Sequence, residues 1–251
     1  MASRQKDDNR EMTVMSFLID THTHTIASGH AYNTINEMIR AAADKNMTHL
    51  AITDHAPTMP GSAHELYFSN LRALPRQKYG VNILYGSELN ICDFEGSVDL
   101  PRYILKRLDI VIASYHTVCI QPGSKEENTR GLIHCIENPL INIIGHPDDA
   151  RFKVDYEQVV LAARDNHKLL ELNNSSLKPN GPREGAYDND KEMLELCKRE
   201  NVCITLASDA HVEEDVLNFS YALKLIEELD FPTKLIANSD FEILQSYLRA
   251  K

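Results

Sequence analysis

The stretch FLIDTHTHT, residues 17–25, joins a short apolar run to two histidines that stand two positions apart. The apolar run predicts a β-strand, and side chains alternate along extended backbone. His22 and His24 would therefore face the same side and could bind one metal ion. Asp209 and His211 repeat this spacing directly after the last strand-like run. One such pair is weak evidence, but two pairs, with single potential ligands after the runs between them, favour a metal site.

Strand-like runs recur along the chain, and a helical pattern separates most of them. Their side chains are nearly all apolar rather than alternating, which is typical of a parallel sheet covered on both faces. These repeated β-α units, without a break in composition, predict one distorted (βα)7 barrel that is closed or nearly closed, with an open doubly wound sheet as the alternative. The seven runs are Phe17–Asp20, His49–Thr53, Val81–Gly86, Asp109–Ser114, Ile141–Gly145, Lys168–Leu172 and Val202–Ala207.

Helix starts are indicated where Ser or Thr precedes Glu by three residues, at Thr34, Ser124 and Ser239. The segment Leu89–Leu100 is expected to form a small hairpin, and the Pro and Gly residues of Leu177–Gly185 predict a mobile loop. Three further helices are expected, from His64 to about Leu74, from Asp155 to about Asp165, and from Asp188 to about Arg199.

The 251 residues are 43% hydrophobic and 25% charged, which suits one packed domain of barrel size. We expect a flexible N-terminal tail over residues 1–15 and one barrel domain over residues 16–251. The net charge of −11 argues against broad binding to nucleic acid or to an anionic membrane. No run approaches a membrane span or a signal core, and five cysteines without a C-x-x-C pair indicate reduced thiols in the cytoplasm.

Nine potential metal ligands follow the strand-like runs, always on the same side of each β-α unit. A barrel gathers those strand ends on one face, where active sites are built. Nine ligands are too many for one zinc ion but suffice for two or three ions if Glu88 bridges, since a carboxylate has two oxygens. All are N or O donors, so zinc, manganese and iron are each compatible. The nine are His22, His24, His30, His55, Glu88, His116, His146, Asp209 and His211.

The remaining histidines have no comparable position, so they are interpreted as structural or surface residues; they are His49, His64, His134 and His167. Asp20 and Asp54 stand beside ligand positions and could either orient an imidazole or cap backbone groups. His30 lies six residues beyond His24, and its assignment depends on the reach of its loop and on the resemblance described next.

The chain resembles the PHP (polymerase and histidinol phosphatase) family, and it is most similar to the YcdX-type trinuclear-zinc phosphatases. The motifs that carry this resemblance run in order from Asp20 to His211: DTHTHTIASGHAYNT, ITDHAP, GSELNI, ASYHTV, IIGHPD, ELNNSS and LASDAH. The resemblance implies a seven-stranded βα barrel with three metal ions, usually zinc, and a possible trimer. The loops TVCIQPGSKEEN and LKPNGPREG depart from the family pattern, so the chemistry transfers better than the substrate.

The resemblance also implies a division of the nine ligands among three metal ions. One ion would be bound by His22, His24, Glu88 and Asp209, a second by Glu88, His116 and His146, and a third by His30, His55 and His211.

Clustered metal ions indicate hydrolysis, because a bound water can fall in pKa from about 15.7 to about 7. We expect a phosphomonoesterase acting on a small phosphorylated molecule, in which a hydroxide bridging the metal ions attacks phosphorus. Glu88, Asp209 and His211 are the candidate catalytic residues, although the acid that protonates the leaving group is not assigned. Three basic loop residues could bind substrate phosphate: Arg183, Arg151 and Lys178.

Several other functions are compatible with the residues. Within the family these are histidinol-phosphate phosphatase and a phosphodiesterase or exonuclease, although the acidic charge weighs against a nuclease. An amidohydrolase-type barrel also starts with H-x-H, but it resembles an eight-stranded barrel with a metal-bridging lysine where this chain has His116. A non-catalytic metal-binding subunit is the alternative from another class.

Overall fold

Parallel strands in consecutive order form a barrel-like sheet within residues 17–248, which the computed structural model describes. The sheet order is β1-β2-β4-β5-β6-β7-β8, with every neighbouring pair parallel, and β3 pairs antiparallel with β4. The predicted tail, residues 1–15, lies outside the described residues. The strands are β1 Ile19–Asp20, β2 His49–Ile52, β3 Gln77–Lys78, β4 Val81–Asn90, β5 Ile110–Ser114, β6 Ile143–Ile144, β7 Leu169–Asn173 and β8 Ile204–Ala207.

Helices connect most of the parallel strands, as a barrel of β-α units requires. The capping boxes predicted at Thr34 and Ser124 are confirmed, and Asp155 caps the helix that follows it. None of the helices in residues 17–248 is both long and apolar enough to cross a membrane. The α-helices are α1 Ile35–Asp44, α2 Glu65–Asn70, α3 Arg102–Leu105, α4 Lys125–Glu137, α5 Tyr156–Asp165, α6 Ala186–Glu200, α7 Ser220–Glu228 and α8 Phe241–Tyr247.

The first and last parallel strands approach each other and nearly close the barrel. An isolated parallel bridge joins Thr23 to Ala210, just beyond β1 and β8. We call this junction between β1 and β8 the seam. Two backbone hydrogen bonds cross it: His24 N–H donates to the Ala210 carbonyl at 2.9 Å, and Asp209 N–H donates to the His22 carbonyl at 3.0 Å. The barrel prediction is therefore confirmed, and the open doubly wound alternative is wrong.

Asn238, in a 3-10 turn before α8, also joins the two sides of the seam by hydrogen bonds, deeper in the barrel. Its side-chain oxygen accepts from Leu206 N–H at 2.6 Å and from the Thr205 hydroxyl at 3.0 Å. Its amide nitrogen donates to the carbonyls of Ile19 and Leu206, each at 2.9 Å. One buried side chain thus bridges β1 and β8, where the short strands make no continuous ladder.

Apolar side chains fill the interior of the barrel on the side away from the metal-ligand candidates. This cluster combines strand residues with Ala237 and Leu244, so the C-terminal segment covers the amino ends of the strands. A larger apolar cluster lies between the sheet and the surrounding helices. The buried polar cluster of predicted ligands therefore lies at the opposite end of the barrel, at the carboxyl ends of the strands. The interior strand residues are Ile19, Ala51, Ile110, Ile112, Ile143 and Leu169.

The third predicted strand is longer than the sequence indicated. It continues through Gly86 to Asn90, so Glu88 lies within β4 rather than just beyond it. The strand can continue past residue 86 because this residue is glycine. A Cβ there would collide with the backbone carbonyl of Ile110 on the neighbouring strand. The expected hairpin after β4 is present in reduced form, as a bridge between Ile91 and Val98.

Two helix boundaries also differ from the prediction. The helix expected from His64 to about Leu74 ends at Asn70 and continues as a 3-10 turn, and His64 is its N-cap, accepting from Leu66 N–H at 3.2 Å. The last helix is capped by Asp240, not Ser239, because the Asp240 carboxylate accepts from Glu242 N–H at 2.8 Å. The short elements β3 and α3 carry little apolar periodicity and were not expected.

We predict that Asn238→Ala lowers the free energy of unfolding by about 3 kcal/mol, because it leaves buried backbone groups of both seam strands without partners. Urea unfolding would measure this change. Asn166→Ala is the matched control: Asn166 is exposed, donates only within its own segment to the Ala162 carbonyl, and should cost under about 0.5 kcal/mol. Equal stability of the two variants would contradict a seam role for Asn238.

Candidate metal centre

The strand ends deliver the predicted ligands to one small volume. His22 and His24 follow β1, His55 pairs in register with Glu88 of β4, and His116 follows β5. His146 comes after β6, and Asp209 and His211 come after β8. Imidazole rings of neighbouring ligands lie 4.2–6.1 Å apart between centroids, including His30 at 4.9 Å from both His55 and His211.

The Glu88 carboxylate lies at the centre of this cluster and is fully buried. Its two oxygens face different imidazoles, and this division is the geometry expected of a bridging carboxylate. Oε1 lies 2.7 Å from His146 Nε2 and 3.2 Å from His116 Nε2. Oε2 faces three further rings, at 2.6 Å from His55 Nδ1, 3.3 Å from His22 Nε2 and 3.5 Å from His24 Nε2.

Asp209 is the second buried carboxylate of the cluster. Its Oδ1 lies 3.1 Å from His24 Nε2 and 3.6 Å from His211 Nδ1. Its Oδ2 accepts a hydrogen bond of 3.0 Å from Arg183 Nη2. Asp209 therefore connects the imidazole cluster to the guanidinium beside it.

Three overlapping donor groups have ligand atoms that all lie within 4.8 Å of one another. They contain seven of the nine predicted ligands; His30 and His146 are outside them, although His146 Nε2 contacts Glu88 directly. The groups are His22, His24 and Asp209; His55, Glu88 and His116; and His24, His55 and His211.

Unsatisfied polar atoms at the centre test whether these residues suit metal ions. His55 Nδ1 and Glu88 Oε2 are 2.6 Å apart, yet neither makes a well-directed hydrogen bond within the described residues. His116 Nε2, which lies 3.2 Å from Glu88 Oε1, is likewise buried without such a partner there. Buried polar atoms are normally hydrogen-bonded, so atoms that converge without bonding one another are arranged as ligands of common cations.

The protonation tendencies of Glu88, Asp209 and His24 also suit metal binding. His22 is the exception: burial would lower its pKa, but the Glu171 and Glu88 carboxylates outweigh burial and hold the pKa well above its usual value. Burial opposes ionisation of Glu88, but the imidazoles of His116 and His22 outweigh it and hold the pKa of the carboxyl well below its usual value. Burial likewise opposes ionisation of Asp209, and His22 among others reverses this, so its pKa is also low. Burial and the neighbouring rings of His55 and His211 hold the pKa of His24 well below its usual value. Anionic carboxylates and neutral imidazoles are the forms that bind metal ions.

Two predicted ligands have backbone conformations that non-glycine residues rarely adopt. The φ angle of His146 is +29° and that of Asp209 is +53°. Such strain persists where the surrounding structure fixes it. It does not distinguish the site, because seven other non-glycine residues of the described chain also have a positive φ. In both residues the left-handed turn comes directly after a strand, where the chain leaves the sheet.

Glu171 is a functional candidate that the sequence reasoning missed. It lies on β7, fully buried, and its Oε1 is 2.8 Å from His22 Nδ1. Its Oε2 accepts from His146 N–H and from the Asn173 amide, each at 2.9 Å. A carboxylate on the far nitrogen of a metal-binding imidazole fixes its tautomer and orientation. The available signal was a charged residue inside the otherwise apolar run KLLEL.

Other side chains orient the remaining rings. Asn90 Oδ1 lies 2.8 Å from His116 Nδ1, and the Ser28 hydroxyl lies 3.0 Å from His24 Nδ1. Asp54 does not contact the His24 ring itself but accepts a hydrogen bond of 2.7 Å from Ser28 Oγ. Asp20 instead accepts from backbone N–H groups, including that of Leu217 at 2.9 Å. Of the two aspartates, only Asp54 supports an imidazole, and it does so through Ser28.

The four histidines interpreted as structural lie away from this cluster. His49 stacks on Phe241 at 3.7 Å between ring centroids, and His167 stacks on Tyr247 at 3.9 Å. His134 Nδ1 lies 3.8 Å from Glu95 on the surface. The stacking contacts account for the rings of His49 and His167, and none of the four histidines belongs to the donor groups found within the described residues.

A cavity of about 730 Å³ opens above the cluster, and His30, His55, His116 and His211 form part of its wall. Arg183 lies in this wall with a largely buried side chain, and its Nη1 donates to Ser176 Oγ at 2.9 Å. The other two predicted basic residues also line it. Arg151 is paired with Asp149 at 2.6 Å, and Lys178 is paired with Asp215 at 2.7 Å.

Comparison with known proteins agrees with this fold. A protein named probable phosphatase from Acetivibrio thermocellus is 44% identical over 237 residues, which cover 94% of this chain and 97% of that protein. Another probable phosphatase, from Caldicellulosiruptor saccharolyticus, is 48% identical over 231 residues, covering 92% of this chain and 95% of that protein.

Among solved structures, histidinol phosphate phosphatase from Lactococcus lactis, in complex with zinc, L-histidinol and phosphate, has a TM-score of 0.58. It is 19% identical and covers 86% of this chain and 95% of its own. A putative histidinol phosphatase from Listeria monocytogenes has a TM-score of 0.61 at 18% identity. The match covers 82% of this chain and 99% of that chain. At this identity the likeness shows the fold.

The PHP domain model matches residues 20–242, nearly the whole described chain. This match confirms the resemblance carried by the seven motifs. The chain therefore belongs to the PHP domain family.

Proposed function

We propose that this protein is a metal-dependent phosphatase that hydrolyses monoesters of small phosphorylated molecules. The observation that carries the proposal is the Glu88 carboxylate, whose two oxygens face separate sets of imidazoles, and His55 and His116 from these sets line a cavity. A guanidinium, that of Arg183, lies beside the same cluster. A cation cluster next to a fixed arginine suits a phosphoryl group, which carries negative charge on several oxygens.

The nine candidate ligands would hold three divalent cations, with zinc as the first choice and manganese or iron as alternatives. Bound cations of this kind supply Lewis-acid chemistry, which makes water a nucleophile near neutral pH and neutralises phosphoryl oxygens. The assignment has three parts: His22, His24, Glu88 and Asp209; Glu88, His116 and His146; and His30, His55 and His211. The contacts around Glu88 and Asp209 support the first two parts.

Arg183 is proposed to bind the phosphoryl group. Asp209, Ser176 and Asn173 fix its guanidinium through contacts of 2.9–3.3 Å. A guanidinium carries five N–H donors, so it can keep these contacts and still donate to phosphoryl oxygens. Because the side chain is held in place before substrate arrives, little ordering is required on binding.

Arg151 and Lys178 are proposed to contact the substrate further from the cations. Each side chain is about one-third exposed and paired with a carboxylate: Arg151 with Asp149 on its own loop, and Lys178 with Asp215 on a neighbouring loop. The cavity volume suits an organic molecule of moderate size rather than inorganic phosphate alone. The proposed substrate is therefore a phosphorylated small molecule whose organic part reaches these two ion pairs.

We predict that chelation of the purified protein abolishes hydrolysis of 4-nitrophenyl phosphate, and that added zinc or manganese restores it. Glu88→Gln should lower kcat by more than about 100-fold, beyond the loss usual for an outer partner of a ligand. The control is Glu157→Gln, which makes the same change at an exposed residue of α5. Full activity of the chelated protein, or of Glu88→Gln, would sink the proposal.

Arg183→Lys keeps the positive charge but removes the forked donor geometry. We expect kcat/KM for aryl phosphates to fall about 100-fold, the usual loss when a fixed donor to the transition state is removed. Arg199→Lys, at an exposed ion pair with Glu157, should leave the rate unchanged. Steady-state kinetics with both variants would measure these values. An unchanged kcat/KM for Arg183→Lys would show that the arginine has no role in phosphoryl binding.

Glu171→Gln should weaken zinc binding about 10- to 100-fold, because the amide cannot accept from both His22 and the His146 N–H as the carboxylate does. Competition with a chromogenic chelator would measure the affinity directly, without an activity assay. Glu126→Gln, at an exposed position in α4, is the control. Equal affinities in the two variants would show that Glu171 does not orient His22.

A further inference from the structure

His30 differs from the other eight predicted ligands in how it is held. The others are buried or half-buried next to strand ends, whereas His30 is exposed on a loop, residues 25–33, between β1 and α1. Only its ring faces the cluster, at 4.9 Å from His55 and from His211. Its position therefore depends on the path of this loop, which we call the His30 loop.

The two ends of the His30 loop are fixed by hydrogen bonds. At its start, the Asp54 carboxylate accepts from Thr25 N–H at 2.6 Å and from Ser28 Oγ at 2.7 Å. At its end, Tyr32 N–H donates to the His211 carbonyl at 3.0 Å. Gly29 and His30 lie between these fixed points.

A second loop, residues 56–63, packs against the His30 loop at two glycines. Ala63 N–H donates to the Ala27 carbonyl at 2.9 Å, which brings the loops together. Gly29 adopts a φ of +82°, and a Cβ there would lie 2.8 Å from Gly61 Cα and closer still to the Gly61 carbonyl. The second loop begins directly after His55, and its Ser62 hydroxyl donates to the His55 carbonyl.

We infer that the backbone contact between Gly29 and Gly61 positions His30 and so completes the third cation site with His55 and His211. The inference rests on the cation assignment of the proposed function. A side chain at residue 29 must displace backbone, not the end of a flexible side chain. The start of the His30 loop is tied to Asp54, so either His30 or the second loop moves outward. Both movements separate His30 from His55.

The first two cation sites should tolerate this change, because their ligands are the strand-end residues around Glu88 and Asp209. Gly29 is thus a positioning residue for one cation out of the set. The cluster consists of a core built into the barrel and a third site that can be emptied separately through one exposed loop.

Three glycines separate a steric effect from the strain of a positive φ. Gly61 has a φ of +85°, but its Cβ would meet Gly29 Cα at an acceptable 3.4 Å. Gly80 also has a φ of +85°, and a Cβ there would have no atom within 4 Å. Substituting alanine imposes similar backbone strain at all three positions, whereas only Gly29→Ala creates a clash with backbone.

The experiment compares Gly29→Ala, Gly61→Ala, Gly80→Ala and His30→Ala with the wild type. Each protein is loaded with zinc, dialysed, and measured by elemental analysis and by calorimetric zinc titration. We expect Gly29→Ala and His30→Ala each to retain one zinc fewer than the wild type, with the weakest site losing at least about 10-fold in affinity. Gly61→Ala and Gly80→Ala should retain the wild-type number, and circular dichroism should show all variants folded.

A Gly29→Ala protein that keeps every zinc overturns the inference, and so does one that cannot fold, because the contact would then belong to the folding core. Equal zinc loss in Gly80→Ala also overturns it, since strain alone would explain the effect. A wild type that binds no zinc, or a His30→Ala protein that loses none, overturns the cation assignment instead. The two failures are therefore distinguishable.

Discussion

The burial of one carboxylate governs the active face of this barrel. Glu88 is inaccessible to solvent, yet the imidazoles around it keep the pKa of its carboxyl low. An ionised carboxylate is costly to bury unless positive charge or directed hydrogen bonds compensate it. That compensation comes from positive charge on the surrounding imidazoles, chiefly His116, together with the 2.7 Å hydrogen bond between His146 Nε2 and Glu88 Oε1, and cations held between the rings would supply it where the imidazoles are neutral. The side chains around Glu88 of β4 are therefore arranged as a set of metal ligands would be.

The apolar packing that stabilises the barrel and the polar cluster that would perform the chemistry lie at opposite ends of the barrel axis. Apolar side chains and the C-terminal segment fill the amino ends of the strands, where Leu244 is fully buried. The carboxyl ends contain the polar cluster, with strained turns at His146 and Asp209. Packing on one side can thus stabilise an arrangement on the other that would be unfavourable alone. Glu171 connects the two regions, because it lies in the apolar strand β7 while its carboxylate contacts the predicted ligands His22 and His146.

Much of this structure could be predicted from the sequence, because seven apolar runs and the polar residues after them are local patterns. The barrel, the parallel order and the convergence of eight ligands follow from those patterns. Glu88 was expected beyond its strand, since a polar residue in a strand looks like its end until its neighbours are known. Glu171 was missed for the same reason. The role of Asp240 as a cap, in place of Ser239, depends on the path of the preceding turn. The tail over residues 1–15 and the trimer stay predictions.

The seam between β1 and β8 has a consequence for biosynthesis. His22 and His24 leave the ribosome long before Asp209, His211 and Asn238. The two groups meet only across that seam, so a nascent chain cannot assemble the complete ligand set until its last strand is available. Ion uptake would then complete maturation and hold the two ends of the fold together, since a ligand that binds only the folded state stabilises it.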